Sequence, residues 1–182
     1  MISDNINTMR EKVARSCVRA GRSPSDVTLI AVAKTFPAEA VREAFDAGAA
    51  DVGENYVQEV LAKRRELAGL AVRWHFIGHL QTNKVKQIAP WVHMIHAVDS
   101  VPLATEIDRR ASGAGRVIEC LIEVNTTGEE TKFGVPPGAL SPRSGRLTSH
   151  VPQAARIERR DRRVNTGQRP YAASVHGHDR GF

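Results

Sequence analysis

Val27-Thr28-Leu29-Ile30-Ala31-Val32-Ala33-Lys34 is an almost unbroken apolar run that ends on a lysine. A run of this kind suits a parallel strand buried on both faces. The segments around it keep the same alternation. Ahead of it, residues 3–20 read as an amphipathic helix with Ile6, Met9, Val13 and Val18 near one face. Behind it, Pro37 opens a helix through Ala47 and Gly48 ends it, in keeping with the preference for Pro at helix starts and Gly past helix ends. Ala50 to Gly53 reads as a second strand and Asn55 to Leu67 as a helix. Val72 to Ile77, Met94 to Val98 and Val117 to Val124 read as three more strands, separated by helices over 82–89 and 101–112.

Five strands with intervening helices predict a parallel β/α architecture. A doubly wound sheet and a (β/α)8 barrel both fit this local pattern. Five units do not close an eight-stranded barrel.

The 182 residues suit one domain and are enough to bury a core. No stretch approaches the roughly 18 apolar residues of a membrane span. The start, Met1 to Asn7, has no basic region followed by an apolar one, so no secretory signal is read there. Cys17 and Cys120 form neither a disulfide framework nor a metal spacing. A reduced, cytoplasmic protein without a membrane partner is therefore expected. The formal charge of +6 is localised: residues 139–182 hold nine Arg, no Lys and three acids, and the remainder is balanced.

Lys34 is the first residue with chemical promise. A lysine beside low-dielectric walls has its charged form disfavoured, which frees the amine as a nucleophile for an aldehyde. A lysine at a strand end more often only reaches to water. Position strengthens the reading. Asn55 follows the second strand, and Gly78 and His79 follow the third. Sites in β/α proteins gather at the carboxyl ends of strands. The competing reading makes Gly53 and Gly78 turn residues and Asn55 a helix cap.

Other polar clusters read as ordinary structure. His75 and His79 have the spacing of a helical zinc pair, but they run from a strand into a glycine turn. His93 and His96 flank the fourth strand without a ligand set, so no metal centre is expected. The tail arginines lack the interleaved aromatics of a nucleic-acid module, and no nucleic-acid partner is expected.

Ala31-Val32-Ala33-Lys34-Thr35, Gly53-Glu54-Asn55-Tyr56-Val57-Gln58-Glu59 and Trp74-His75-Phe76-Ile77-Gly78-His79-Leu80-Gln81-Thr82-Asn83-Lys84 together resemble one family. It is the pyridoxal-phosphate homeostasis proteins, also called YggS or PROSC. Glu123-Val124-Asn125 followed by Lys132-Phe133-Gly134-Val135 resembles its next block. The resemblance spans about residues 1–137. It implies an α/β fold, an incomplete (β/α)8 TIM-type barrel of the alanine racemase N-terminal type with about five units, then an irregular tail. It also implies pyridoxal 5'-phosphate as cofactor, held by Lys34 as a Schiff base, with Asn55, Gly78 and His79 around it. Such proteins buffer the cofactor and have no established turnover. The rival reading is a racemase-like enzyme. A racemase needs a second acid/base, typically a tyrosine, and neither Tyr56 nor Tyr171 sits in such a motif. A monomer is expected.

The resemblance divides the chain into 1–138, a partial cofactor-binding barrel, and 139–182, an Arg-rich tail. The tail's composition buries too little apolar surface to offset ordering entropy, so disorder is expected. No strand is read in it, and Arg156 to Arg163 reads as a polar helix. Members of the family continue with Ser-Met-Gly-Met-Ser-like and Gly-Ser/Thr…Val-Arg-x-Gly motifs, whose backbone N–H groups seat the cofactor phosphate. Neither occurs in this sequence. Residues Ser174 to Phe182, read one nucleotide later with allowed codon choices, give Leu-Ser-Met-Gly-Met-Thr-Glu-Asp-Phe. A frame shift near residue 138 is the expectation, and with it weakened retention of the cofactor.

Overall fold

A computed structural model describes residues 1–129, 131–136, 155–159 and 171–175. The alternation read from the sequence is present: α1 (Ile2–Arg19), β1 (Val27–Val32), α2 (Ala38–Asp46), β2 (Asp51–Glu54), α3 (Val57–Glu66), β3 (Arg73–Phe76), α4 (Val85–Ile88), β4 (Met94–Val98), α5 (Val101–Gly113) and β5 (Ile118–Ile122). Short 3-10 turns at Pro24–Asp26 and Thr82–Lys84 lead into β1 and α4. The first turn has a local cause: Ser23 Oγ accepts from the Ser25 N–H, and Pro24 starts the turn. Among the described residues, no helix is long and apolar enough to cross a membrane.

Strands β1 to β5 lie side by side in chain order, all parallel. This is the barrel-type succession, and it removes the doubly wound alternative, in which strand order reverses part-way. Two further strands flank the five. β6 (Ala155–Arg159) pairs parallel with β5, and β7 (Tyr171–Val175) pairs parallel with β1. They correct the reading of a tail without strands and of a polar helix starting at Arg156. Ala155-Arg156-Ile157-Glu158-Arg159 alternates with period two, which suits a strand. β6 and β7 take up the outer-edge N–H and C=O groups of β5 and β1, which an open edge would offer to any partner. The rest of 139–182, including Ser174's neighbours from His176 onward, lies outside the described residues.

The sheet is two-faced. Val52, Trp74, Phe76, Ile95, Ile118 and Cys120 pack on the helices against Val41, Val60, Val85, Ile88, Leu103 and Ile107. Burying each large aliphatic side chain contributes roughly 1.5–3 kcal/mol. The register aligns Gly53, His75, Met94 and Glu119 in one row on the opposite face. Strand alternation places Asp51, Arg73 and His96 on that same face. One detail of α1 differs from its sequence reading. Val18 is exposed, and Cys17 takes the buried position in the stripe Ile6, Met9, Val13, Cys17.

Candidate functional site

The carboxyl ends of β1, β2 and β3 adjoin. Ala33 N–H donates to the Gly53 carbonyl at 2.9 Å, and Ile77 N–H donates to the Glu54 carbonyl at 2.9 Å. These bonds carry the ladder past the strand ends. Continuing the register of Val32 with Gly53 and of Glu54 with Phe76 sets Lys34 level with Asn55, and Asn55 level with Ile77. The three expected strand ends therefore meet.

Lys34 is half-buried, and its backbone is held on both sides. Lys63 Nζ donates to the Ala33 carbonyl at 2.7 Å, and to Glu54 and Glu59 as well. Three acceptors satisfy all three ammonium donors. Glu54 is fully buried, and its Oε2 has no partner among the described residues. Burial pushes the Glu54 carboxyl pKa up, against the pull of Lys63. On the other side, Thr35 takes a left-handed φ of 66°. A β-branched residue adopts that conformation only when the surroundings impose it. Here Thr35 N–H donates to Glu59 Oε2 at 3.2 Å and its hydroxyl to the Lys34 carbonyl at 2.6 Å. Sequence reasoning missed Thr35, Glu54, Glu59 and Lys63. The i, i+4 pair Glu59–Lys63 on α3 was the one available signal.

Asn55 does not cap α3, whose N-cap is Tyr56 with no side-chain cap bond. The backbone of Asn55 instead lies against Gly78. A Cβ on Gly78 would stand 2.4 Å from the Asn55 carbonyl oxygen and 2.8 Å from its Cα. Only glycine lets these two loops touch. Gly78 is thus more than a turn residue.

His79 is engaged sideways. Its Nδ1 lies 3.0 Å from Asp99 Oδ2, and its ring stacks on Phe133 at 3.8 Å and 12°. It ties the end of β3 to the end of β4 and to the segment after β5. That segment is organised by Asn125. Its Nδ2 donates to the carbonyls of Glu129 and Lys132, and its Oδ1 accepts from Thr127 and Gly128. Val124 and Val135 form a parallel bridge beside it. Gly134, at φ 116°, brings the returning chain against Asn125 N, where a Cβ would stand at 2.6 Å.

At the opposite, amino-terminal ends of β2, β3 and β4 lies a second polar cluster. Arg73 grips both oxygens of Asp51, with Nε to Oδ1 at 2.7 Å. His75 Nε2 lies 2.9 Å from Asp51 Oδ1, and His75 Nδ1 lies 2.9 Å from His96 Nε2. The His93 ring meets the His75 ring edge-on at 5.1 Å. Burial opposes charge on Asp51. Hydrogen bonds from His75 and Arg73 outweigh it and hold the carboxyl well below the usual carboxylate range.

Comparisons with known proteins place the chain in a family and a fold. The family model of the alanine racemase N-terminal domain matches residues 2–158. The pyridoxal phosphate homeostasis protein of Aquifex aeolicus is 45% identical over 137 residues, covering 75% of this chain and 60% of that protein. The protein of the same name from Pseudomonas aeruginosa is 44% identical over 140 residues, covering 76% and 60%. The chain thus spans about 60% of the length of these curated relatives. PipY of Synechococcus elongatus, solved with pyridoxal phosphate bound, superposes with a TM-score of 0.71 at 34% identity, covering 88% of this chain and 68% of PipY. Alanine racemase from Streptomyces coelicolor shares the fold at 22% identity and a TM-score of 0.50. The chain belongs to the alanine racemase N-terminal domain family, among the pyridoxal phosphate homeostasis proteins.

Proposed function

We propose that this chain binds pyridoxal 5'-phosphate at the carboxyl ends of β1, β2 and β3 and serves intracellular homeostasis of that cofactor, with Lys34 as the residue that joins it. The observation that carries the reading is the placement of Lys34: half-buried, level with Asn55, and fixed between the Lys63 brace and the constrained Thr35. The residues present fit the aldehyde end of the group. The Asn55 side chain makes no hydrogen bond to another described residue, so it is available to a ring oxygen. Gly78 keeps the β3 loop tight against the Asn55 backbone.

Bound pyridoxal phosphate supplies an aldehyde for Schiff-base formation and an electron-withdrawing ring. The amine of Lys34 must be neutral to attack, and one water leaves for each Schiff base formed.

Borohydride reduction in the presence of pyridoxal phosphate, followed by peptide mass spectrometry, tests this. The cofactor mass is expected on Lys34. A label spread evenly over other lysines such as Lys12 and Lys84, or an unchanged label in Lys34→Ala, would overturn the reading.

A further inference from the structure

We propose that Asp51, His75 and His93 form a site for one divalent transition-metal ion of the zinc class, at the end of the sheet opposite Lys34. One donor atom from each residue lies within 4.8 Å of the other two. Three protein ligands from imidazole and carboxylate, with a fourth position open to water, is a set that zinc accepts. Bonds of about 2.0–2.2 Å place tetrahedral donors on the order of 3.5 Å apart. His75 Nε2 and Asp51 Oδ1 already stand at 2.9 Å, so the ion enters by spreading them slightly. The His93 backbone N–H donates to the Trp74 carbonyl. Its exposed side chain makes no hydrogen bond to another described residue and can turn through the remaining distance.

The surroundings are those of a supported site. Asp51 and His75 are buried and pinned by neighbours. Arg73 uses one lone pair on each Asp51 oxygen, and a carboxylate offers about four such positions. With Asp51 ionised, His75 donates from Nε2 and its Nδ1 accepts from His96 Nε2–H. Metal binding at His75 Nε2 requires the tautomer protonated at Nδ1; His96 then carries its own proton on Nδ1, so that its Nε2 accepts across the existing 2.9 Å contact. A hydrogen bond from the rear nitrogen of a ligating histidine fixes its orientation and raises its basicity. Glu119, in the same row of the sheet as His75 and Met94, adds negative charge near His93, while Arg73 opposes the ion.

The ligands come from β2, β3 and the residue just before β4, with no sequence motif linking them. Such an ion would tie β2, β3 and β4 together from the side away from the helices. Nothing in this inference depends on the cofactor reading, and its test uses protein free of pyridoxal phosphate.

The full chain, treated with chelator and dialysed, is titrated with Co2+ and followed by its visible d–d absorbance, then by Zn2+ competition. Saturable binding of one ion per chain is expected, together with a rise in Tm. His93→Ala removes an exposed ligand, so its fold is checked by circular dichroism. It is expected to weaken binding roughly tenfold or more. His176→Ala/His178→Ala is expected to bind as the original chain does. Unsaturable binding, unchanged affinity in His93→Ala, or loss of binding in the His176/His178 double variant would each overturn the proposal.

Discussion

Lys63 reaches from α3 to donate a hydrogen bond to the carbonyl of Ala33, the residue before Lys34, at 2.7 Å. Its ammonium is buried and pairs with the fully buried Glu54. Removing one partner of such a pair leaves an uncompensated buried charge. Lys63→Met is therefore expected to destabilise the fold by roughly 3–5 kcal/mol. The double variant Lys63→Met/Glu54→Gln is expected to recover part of that loss. Urea denaturation of the three proteins measures it, and a double variant no better than the single one would contradict the pairing.

Thr35 holds a left-handed backbone next to Lys34. Strain of this kind costs on the order of 1–3 kcal/mol. Glycine relieves it but gives up the hydroxyl bond to the Lys34 carbonyl and gains unfolded-state freedom. Thr35→Gly is expected to stay within about 1 kcal/mol of the parent. Thr35→Val keeps the strain, loses the hydroxyl, and is expected to cost about 1 kcal/mol more than Thr35→Gly. Thermal melts rank the two.

Gly78 touches the backbone of Asn55, not a flexible side-chain tip. Gly78→Ala must push two loops apart. A loss of about 1–3 kcal/mol is expected, with a lower yield of reduced cofactor adduct on Lys34. Wild-type stability and labelling in Gly78→Ala would show that the contact is not needed.

Acid should weaken the sheet in two windows. Unfolded His93 titrates near about 6.5, and burial lowers its folded value. Between the two values the unfolded chain binds more protons, so stability falls as pH drops below about 6.5. The folded Asp51 carboxyl lies below its ordinary value. Its contribution is present above about pH 4 and is lost as pH falls further. Glu54, pushed up by burial, works in the opposite sense, so variants are compared with the parent. With chelator present, His93→Gln should flatten the upper window and Asp51→Asn the lower one. Urea midpoints across pH 8 to 3 read both, and an unchanged upper slope in His93→Gln would contradict the assignment.

The strands were legible because continuous apolar runs admit few alternatives. Lys34, Asn55 and Gly78 directly follow those runs, and strand register brings their positions to adjoining ends of the sheet. The brace beneath them was hidden. Glu54, Glu59 and Lys63 look like solvated charges in a sequence, and only tertiary packing turns two of them inward. Asp51, His75 and His93 were hidden for a different reason, since strand pairing alone brings residues of such separation together. β6 was misread because Arg and Glu around Ile157 look helical and polar, while an open strand edge rewards any extended segment that can supply backbone bonds.

The brace of Lys34 draws on residues 33–63 alone. β1, β2 and α3 leave the ribosome before β3 does. The surroundings of Lys34 can therefore assemble on the nascent chain, from contacts of short sequence separation that form early and fast. Errors made later in synthesis, or changes beyond residue 63, would leave that part of the molecule the first to be correct.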